Sequence, residues 1–369
     1  MASIDRRPDG RWRARWREYP VGPQRTKHFS RKLDAERHLV WVQHDLMTGA
    51  YVDPAKSRTT VEDYYAVWAA RQPWRPATRT GVRSTFSCHV LPAIGKRPLG
   101  SVRRGDIESW AAGLSLSASS SVLAVQHLGT MFEAAVADGL IATNPVRRAK
   151  RPRVDVQPVV PLSAEQLTAL RDAAPGWFRV ALTLGAACGL RQSEATGLTV
   201  DRVDFLRRQL TVDRQLVTPS SGRPVFAPPK TPRSYRSVPL ADVALDELSA
   251  HLEAYGTGQD GLLLHRDGRP LARPRFGEVW RSVRRQTAMP TARFHDTRHT
   301  FASILLSGGV SVAAAADYLG HSPAELLKTY AHLVPADHER ARSVVQAAFA
   351  KATDHASLVL LQSTEDQGR

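Results

Sequence analysis

Apolar and polar residues alternate strictly near the start of the chain, with Trp12, Ala14 and Trp16 in one phase and Arg11, Arg13, Arg15 and Arg17 in the other. A period of two predicts a strand with one buried face and one basic face. Pro8-Asp9-Gly10 before it has turn chemistry, and "PQRTKHFS" after it supplies a further strand. The period then lengthens: Leu39, Val42 and Leu46 recur at helical spacing up to Gly49, a residue suited to end a helix. Residues 1–55 therefore read as a three-stranded sheet backed by a helix. After the linker-like "YVDPAKSRTT", residues 58–146 carry helical periodicity throughout, punctuated at "QPW", "GKRPLG" and "TNP". Residues 147–160 form a Pro-rich, basic connector without helical pattern, read as an extended strap.

A last domain, 161–350, opens at Ser163 and Gln166, spaced as a capping box. Helices run to about Leu190, a β-rich stretch "QLTVDRQLVTPSSGRPVFAPPKTPRSYRSVPL" interrupts them, and helices resume at "ADVALDELSAHLEA". Residues 351–369 are read as a tail. The fold class is multidomain α+β: a small sheet-and-helix module, a helical domain, and a mainly helical domain holding a small antiparallel sheet.

Composition sharpens this outline. A chain of 369 residues is too long for one small core. Lys and Arg number 51 against 35 Asp and Glu, a formal charge of +16, and such a surplus favours a polyanionic partner, most often nucleic acid. A preference for Arg codons explains Arg over Lys but leaves the surplus over acids unexplained. The basic strand, Arg11 to Arg17, suits insertion into a DNA groove, with a solvated edge strand as the alternative. Arg147, Arg148, Lys150 and Arg151 in the connector form a second candidate contact. Two cysteines, Cys88 and Cys188, in unrelated surroundings support neither a disulfide framework nor a thiolate zinc site. No apolar run has signal-peptide or membrane-spanning length, so a cytoplasmic protein without membrane contact is expected.

The chemistry concentrates in "FHDTRHT" and "LGHSPAELLKTY". His295 and His299, four apart, could share a metal ion on one helix face. His295 and Arg298, three apart, could instead grip an anion such as a phosphate. Arg298 would repel a cation, and a third ligand of suitable spacing is missing, so the anion is favoured. Taken singly, the other residues read blandly: Arg191 as the ion-pair partner of Glu194, Lys230 as a solvated turn lysine, His321 as a helix cap, Tyr330 as a core tyrosine.

Together, "CGLRQSEATGL", "PPKTPRSYRSVPL", "FHDTRHTFAS" and "LGHSPAELLKTY" resemble the catalytic domain of the tyrosine recombinases, the phage integrase family. The family pattern falls, in order, on Arg191 with Glu194, Lys230, His295 and Arg298, His321, and Tyr330 nine residues after His321. Departures are small: Thr297 where Leu is common, and Ala195 and Thr196 where bulkier apolar residues are common. The resemblance implies that Tyr330 attacks a DNA phosphodiester, forming a 3′-phosphotyrosine and freeing a 5′-hydroxyl. Two guanidiniums, Arg191 and Arg298, can fork onto the non-bridging oxygens as charge grows there. Glu194 would hold Arg191. His295 and His321 can donate to the phosphate, His295 can accept the phenolic proton, and Lys230 is the natural acid for the leaving oxygen. The covalent link conserves the bond energy, so no cofactor, ATP or metal is called for.

The resemblance further implies core-site binding by residues 58–146, arm-site binding by residues 1–55, and four protomers acting on two duplexes. It also implies a host DNA-bending protein and a directionality factor as partners, in a bacterial host cell. Integration and excision of a phage or mobile element is the expected task. The alternatives are a Xer-like dimer resolvase, a type IB topoisomerase, and a non-catalytic DNA-binding regulator derived from an integrase.

Overall fold

The computed structural model describes residues 2–19, 21–48, 51–53, 56–154, 159–219, 222–333, 338, 339, 341–343, 345–347 and 349. The chain divides into two compact units, Met1–Val156 and Gln157–Arg369.

In the first unit the alternating stretch forms the middle strand of a three-stranded antiparallel sheet. β1 (Ser3–Arg6), β2 (Trp12–Arg17) and β3 (Gln24–Phe29) lie in that order, with Arg13 opposite Asp5 on one side and His28 on the other. Ala14 and Trp16 are buried against Ala35, Leu39 and Val42 of α1 (Lys32–Thr48). The arginine phase faces away from that core, as the period requires, but it is partly neutralised. Asp5 takes Arg13 at 2.7 Å and Arg15 at 3.1 Å, and Arg17 donates to the Gly22 carbonyl at 2.6 Å. The helix stop expected at Gly49 lies outside the described residues.

The helical part of this unit holds α2 (Val61–Arg71), α3 (Pro76–Thr85), α4 (Leu91–Ile94), α5 (Arg104–Ala112) and α6 (Ala118–Ala137). A π-helical turn, Phe86–Val90, joins α3 to α4 just before Pro92, which has no N–H to continue the ordinary ladder. Trp68, Phe86, Ile107, Leu128 and Phe132 are central to the shared core. The connector departs from the sequence reading. Its first residues are folded turns rather than an extended strap, because Val146 and Ala149 join the helical core. Asn144 fixes them: its amide donates to the Gly129 carbonyl and to Glu133, and its oxygen accepts from the Val146 N–H. Residues 155–158 of the connector lie outside the described residues.

The second unit starts with α7 (Ala164–Ala173), capped by Ser163 and Gln166 as their spacing predicts. α8 (Gly176–Ala186) and the short α9 (Gln192–Thr196) follow. β4 (Val203–Asp204) and β5 (Gln209–Val212) pair, and β8 (Arg236–Pro239) closes that antiparallel sheet on the far side of β5. Between them β6 (Gln215–Val217) and β7 (Val225–Ala227) make a separate hairpin. α10 (Asp242–Tyr255), α11 (Arg273–Arg285), α12 (Phe294–Ser307), α13 (Val312–Leu319) and α14 (Pro323–Tyr330) complete the described elements that bear on function. The tail, 351–369, lies outside the described residues. Among those residues no helix is long and apolar enough to cross a membrane.

α8 and α12 pack closely where small residues meet. A Cβ on Gly185 would stand 2.0 Å from Thr297 Oγ1, and Thr297 is fully buried, donating to the Phe294 carbonyl at 2.7 Å. This accounts for Thr297 where the family commonly has leucine. Thr297→Leu is expected to overpack that contact and lower unfolding stability by about 1–3 kcal/mol, measurable as a lower urea midpoint at unchanged slope.

Candidate active site

Two glycines set the geometry. Gly189, after α8, has a φ of 65° and no room for a side chain, since a Cβ would lie 2.3 Å from the Phe301 ring. Its carbonyl therefore stands open to α12 and accepts from Arg298 Nη1 at 2.5 Å. Gly320 ends α13 in the left-handed region at φ 61°, and a Cβ there would come within 2.9 Å of the Arg233 carbonyl.

Arg191 sits at the N-cap of α9, where its N–H donates to Glu194 Oε2 at 2.9 Å and its Nη1 to Oε1 at 2.8 Å. Glu194 is buried and faces two further guanidiniums. Arg236 on β8 donates to both oxygens, at 3.2 and 2.8 Å, and Arg298 Nη1 lies 3.8 Å away. Burial alone would raise the Glu194 carboxyl, but the hydrogen bonds from Arg236 and the charges of Arg236, Arg191 and Arg298 bring it down to about 2. One carboxylate thus holds three arginines. The same three arginines take consecutive carbonyls at the end of α13. Arg236 Nε donates to Tyr318 at 2.7 Å, Arg298 Nη2 to Leu319, and Arg191 Nη2 to Gly320 at 3.4 Å. Helix C-termini leave such carbonyls unpaired and partly negative, which suits cationic donors. This lock fixes the next residue, His321.

Arg298 Nη2 also lies 3.0 Å from His321 Nε2. A guanidinium only donates, so Nε2 accepts and the ring proton sits on Nδ1. Burial, then the charges of Arg298 and Arg191, holds His321 down at about 4, so the ring is neutral at pH 7. His321 Nδ1 and Arg298 Nε are both buried and make no hydrogen bond among the described residues.

Tyr330 closes α14, whose start is capped by Ser322 and Glu325. The side chain is 1% exposed, and its oxygen lies 2.5 Å from His299 Nδ1. Burial pushes the phenol up to about 12, against the opposing charge of Arg298. The sequence reading gave the phenolic proton to His295; in the structure the phenolic oxygen lies beside His299 instead. His299 is buried one helical turn further in and meets the phenol, whereas His295 lies exposed at the start of α12 with its ring 4.6 Å from that of His299. Partial desolvation, then the charges of His299, Arg298 and Arg191, shifts His295 downward. No group of three or more His, Cys, Asp or Glu suited to a metal occurs among the described residues.

Arg191, Glu194, Arg298 and His321 thus form one bonded cluster, with Tyr330 attached through the neighbour of Arg298. Lys230 is exposed on the bend after β7 and makes no hydrogen bond to this cluster among the described residues. The base of its loop is nonetheless anchored beside Gly320 through Arg233 and Ser234. Arg11, Arg148, Lys150 and Arg151 are exposed, and Arg147 is clamped by Glu133 at 2.7 and 3.1 Å. Sequence reasoning missed Arg236, although a signal was present. In "RSVP" it occupies the same strand phase as Val238, and an arginine on the buried phase demands a counter-charge.

Residues 161–336 match the model of the Phage integrase family. The chain therefore carries a domain of this family. It is a tyrosine-type site-specific recombinase of the phage and transposon integrase kind. It is 24% identical over 342 residues to a putative prophage phiRv2 integrase of Mycobacterium tuberculosis, covering 88% of this chain and 89% of that one. Its fold is similar to that of the Tn1549 transposon integrase in complex with transposon right end DNA, with a TM-score of 0.67 and 25% identity over 78% of this chain and all of that one. A lambda integrase tetramer bound to a Holliday junction shares the fold at a TM-score of 0.53 and 20% identity, over 86% of this chain and 95% of that one.

Proposed function

We propose that this recombinase cuts and rejoins duplex DNA through Tyr330, with Arg191 and Arg298 stabilising the phosphoryl transition state and Lys230 protonating the departing 5′-oxygen. The observation that carries the reading is the arginine cluster around Glu194, with two buried donors, Arg298 Nε and His321 Nδ1, left unpartnered beside it. Leaving such groups unpaired costs about 1–3 kcal/mol each, which an accepting phosphate oxygen would recover. Glu194 keeps the guanidiniums aimed without rearrangement when charge develops. His295, exposed at the start of α12, is free to donate to the same phosphate.

The module formed by residues 1–55 would take arm-type DNA sites with its arginine face, where Arg13 and Arg15 share Asp5 and the hydrogen-bonding residues Gln24, Thr26 and His28 lie alongside. Residues 58–146 would take the core site, with Arg148, Lys150 and Arg151 on the phosphate backbone. Four protomers on two duplexes follow from the need to exchange four strands, and the names of the relatives favour a mobile element as cargo. A host bending protein and a directionality factor would serve distant arm and core sites, and a bacterial cytoplasm is the setting.

Nicked duplexes covering the DNA beside the gene test the reading. Protein-linked DNA on denaturing gels, at one discrete site, is the expected result. Sequence-specific binding with no adduct on any nicked duplex would replace the recombinase reading at those sites with a DNA-binding regulator. Arg13→Ala combined with Arg15→Ala is expected to weaken binding to arm-containing DNA and to lower the salt slope by about one for each phosphate no longer neutralised, with core cleavage unchanged.

A further inference from the structure

We infer that His299, a residue outside the family's catalytic pattern as read from the sequence, is the base that takes the phenolic proton from Tyr330. The inference rests on the cleavage reading above and deepens it. The buried hydroxyl of Tyr330 needs an acceptor, and His299 Nδ1, at 2.5 Å, is the partner it has among the described residues. A buried donor without an acceptor is the costly arrangement, so the O–H donates and Nδ1 offers its lone pair. Neither of the other two histidines of the site hydrogen-bonds the phenol among the described residues: the His295 ring lies T-shaped against that of His299, 4.6 Å away, and His321 is engaged with Arg298.

The surroundings keep His299 in the accepting form. Burial lowers its basicity, Asp296 works the other way, and Arg293 and Arg298 lower it further. Of the other elements packed on α12, the turn Ala331–Leu333 carries His332, whose ring faces the Val159 carbonyl. α8 carries Arg179 and α13 carries Asp317, and neither contributes to the balance at His299. The net direction is downward, so the ring is neutral at pH 7 and free to accept. Ser303 holds the helix backbone beneath it by donating to the His299 carbonyl at 2.9 Å.

The step balances. The proton passes from the phenol oxygen to His299 Nδ1, leaving phenolate and imidazolium. The phenolate forms the new O–P bond, the P–O5′ bond breaks, and the departing oxygen takes a proton from Lys230 Nζ. On resealing, Lys230 recovers its proton from the attacking 5′-hydroxyl and His299 returns its own to the phenol. A proton acceptor in this position is worth on the order of 10²–10⁴ in rate.

The pH profile of single-turnover cleavage on a nicked duplex, in wild type and His299→Gln, separates a base from a structural partner. Glutamine keeps an acceptor for the phenol but cannot take its proton. Wild type is expected to rise with pH through the acid range and level off below the ordinary histidine value of 6.5. His299→Gln is expected to cleave about 100-fold or more slowly at pH 7, and to gain roughly tenfold per pH unit through the neutral range as Tyr330 ionises unaided. His299→Ala, given free imidazole, should recover part of its rate. A His299→Gln variant with the rate and profile of wild type would overturn the inference, leaving the cleavage reading intact. An adduct absent from wild type itself would instead overturn that reading.

Discussion

Tyr330→Phe is expected to bind its DNA sites like wild type and to form no covalent adduct, a loss of cleavage below detection. The substitution removes one oxygen from a side chain that is 1% exposed, so its packing against the catalytic core is kept. What disappears is a hydrogen bond to His299, worth roughly 1 kcal/mol, and the nucleophile that the cluster presents. Stability should therefore change little while cleavage vanishes. Gel-shift titration and thermal unfolding beside the cleavage assay check both halves. Residual adduct in the variant would mean that another side chain attacks.

Glu194→Ala carries the largest expected effect on stability. Arg191, Arg236 and Arg298 all meet this carboxylate, and two of the three, Arg236 and Arg298, are themselves buried. Removing one partner of a buried ion pair costs about 3–5 kcal/mol, because the remaining charges stay uncompensated. The urea midpoint should fall by roughly 1–3 M at the slopes usual for domains of this size. Cleavage should fall as well, since the arginines that hold Tyr318, Leu319 and Gly320 lose their common anchor. The pH dependence gives a second signature. The folded carboxyl sits at about 2 against an ordinary 4.5, so its contribution is present above 4.5 and lost as pH falls toward 2. That acid-side loss should be present in wild type and missing in the variant.

Much of this was legible in the sequence because the relevant signals are local. The alternation around Trp12 specified both the strand and the face that α1 covers, and Ser163 with Gln166 specified a helix start. The motif residues Arg191, Glu194, His295, Arg298, His321 and Tyr330 could be named because their order and spacing resemble the family pattern. Other features depend on pairings between distant positions. Asp5 neutralises part of the arginine face only because strand register sets it opposite Arg13, and register follows from the turn between them. His295 and His299 are equivalent on a helical wheel reduced to spacing, and only the direction from which α14 delivers Tyr330 selects His299. The connector looked extended because Pro and Arg dominate it, yet Val146 and Ala149 find space in the helical core that composition does not reveal.

The central claim is that Tyr330 becomes the covalent link to DNA, and the most direct measurement is to locate that link. Wild-type protein would be trapped on a nicked duplex, digested with protease and nuclease, and the nucleotide-bearing peptide sequenced by mass spectrometry. The account predicts a single modified peptide, within Pro323–Tyr330 or extending past it, with the nucleotide on the Tyr330 oxygen. A nucleotide on any other residue would contradict it.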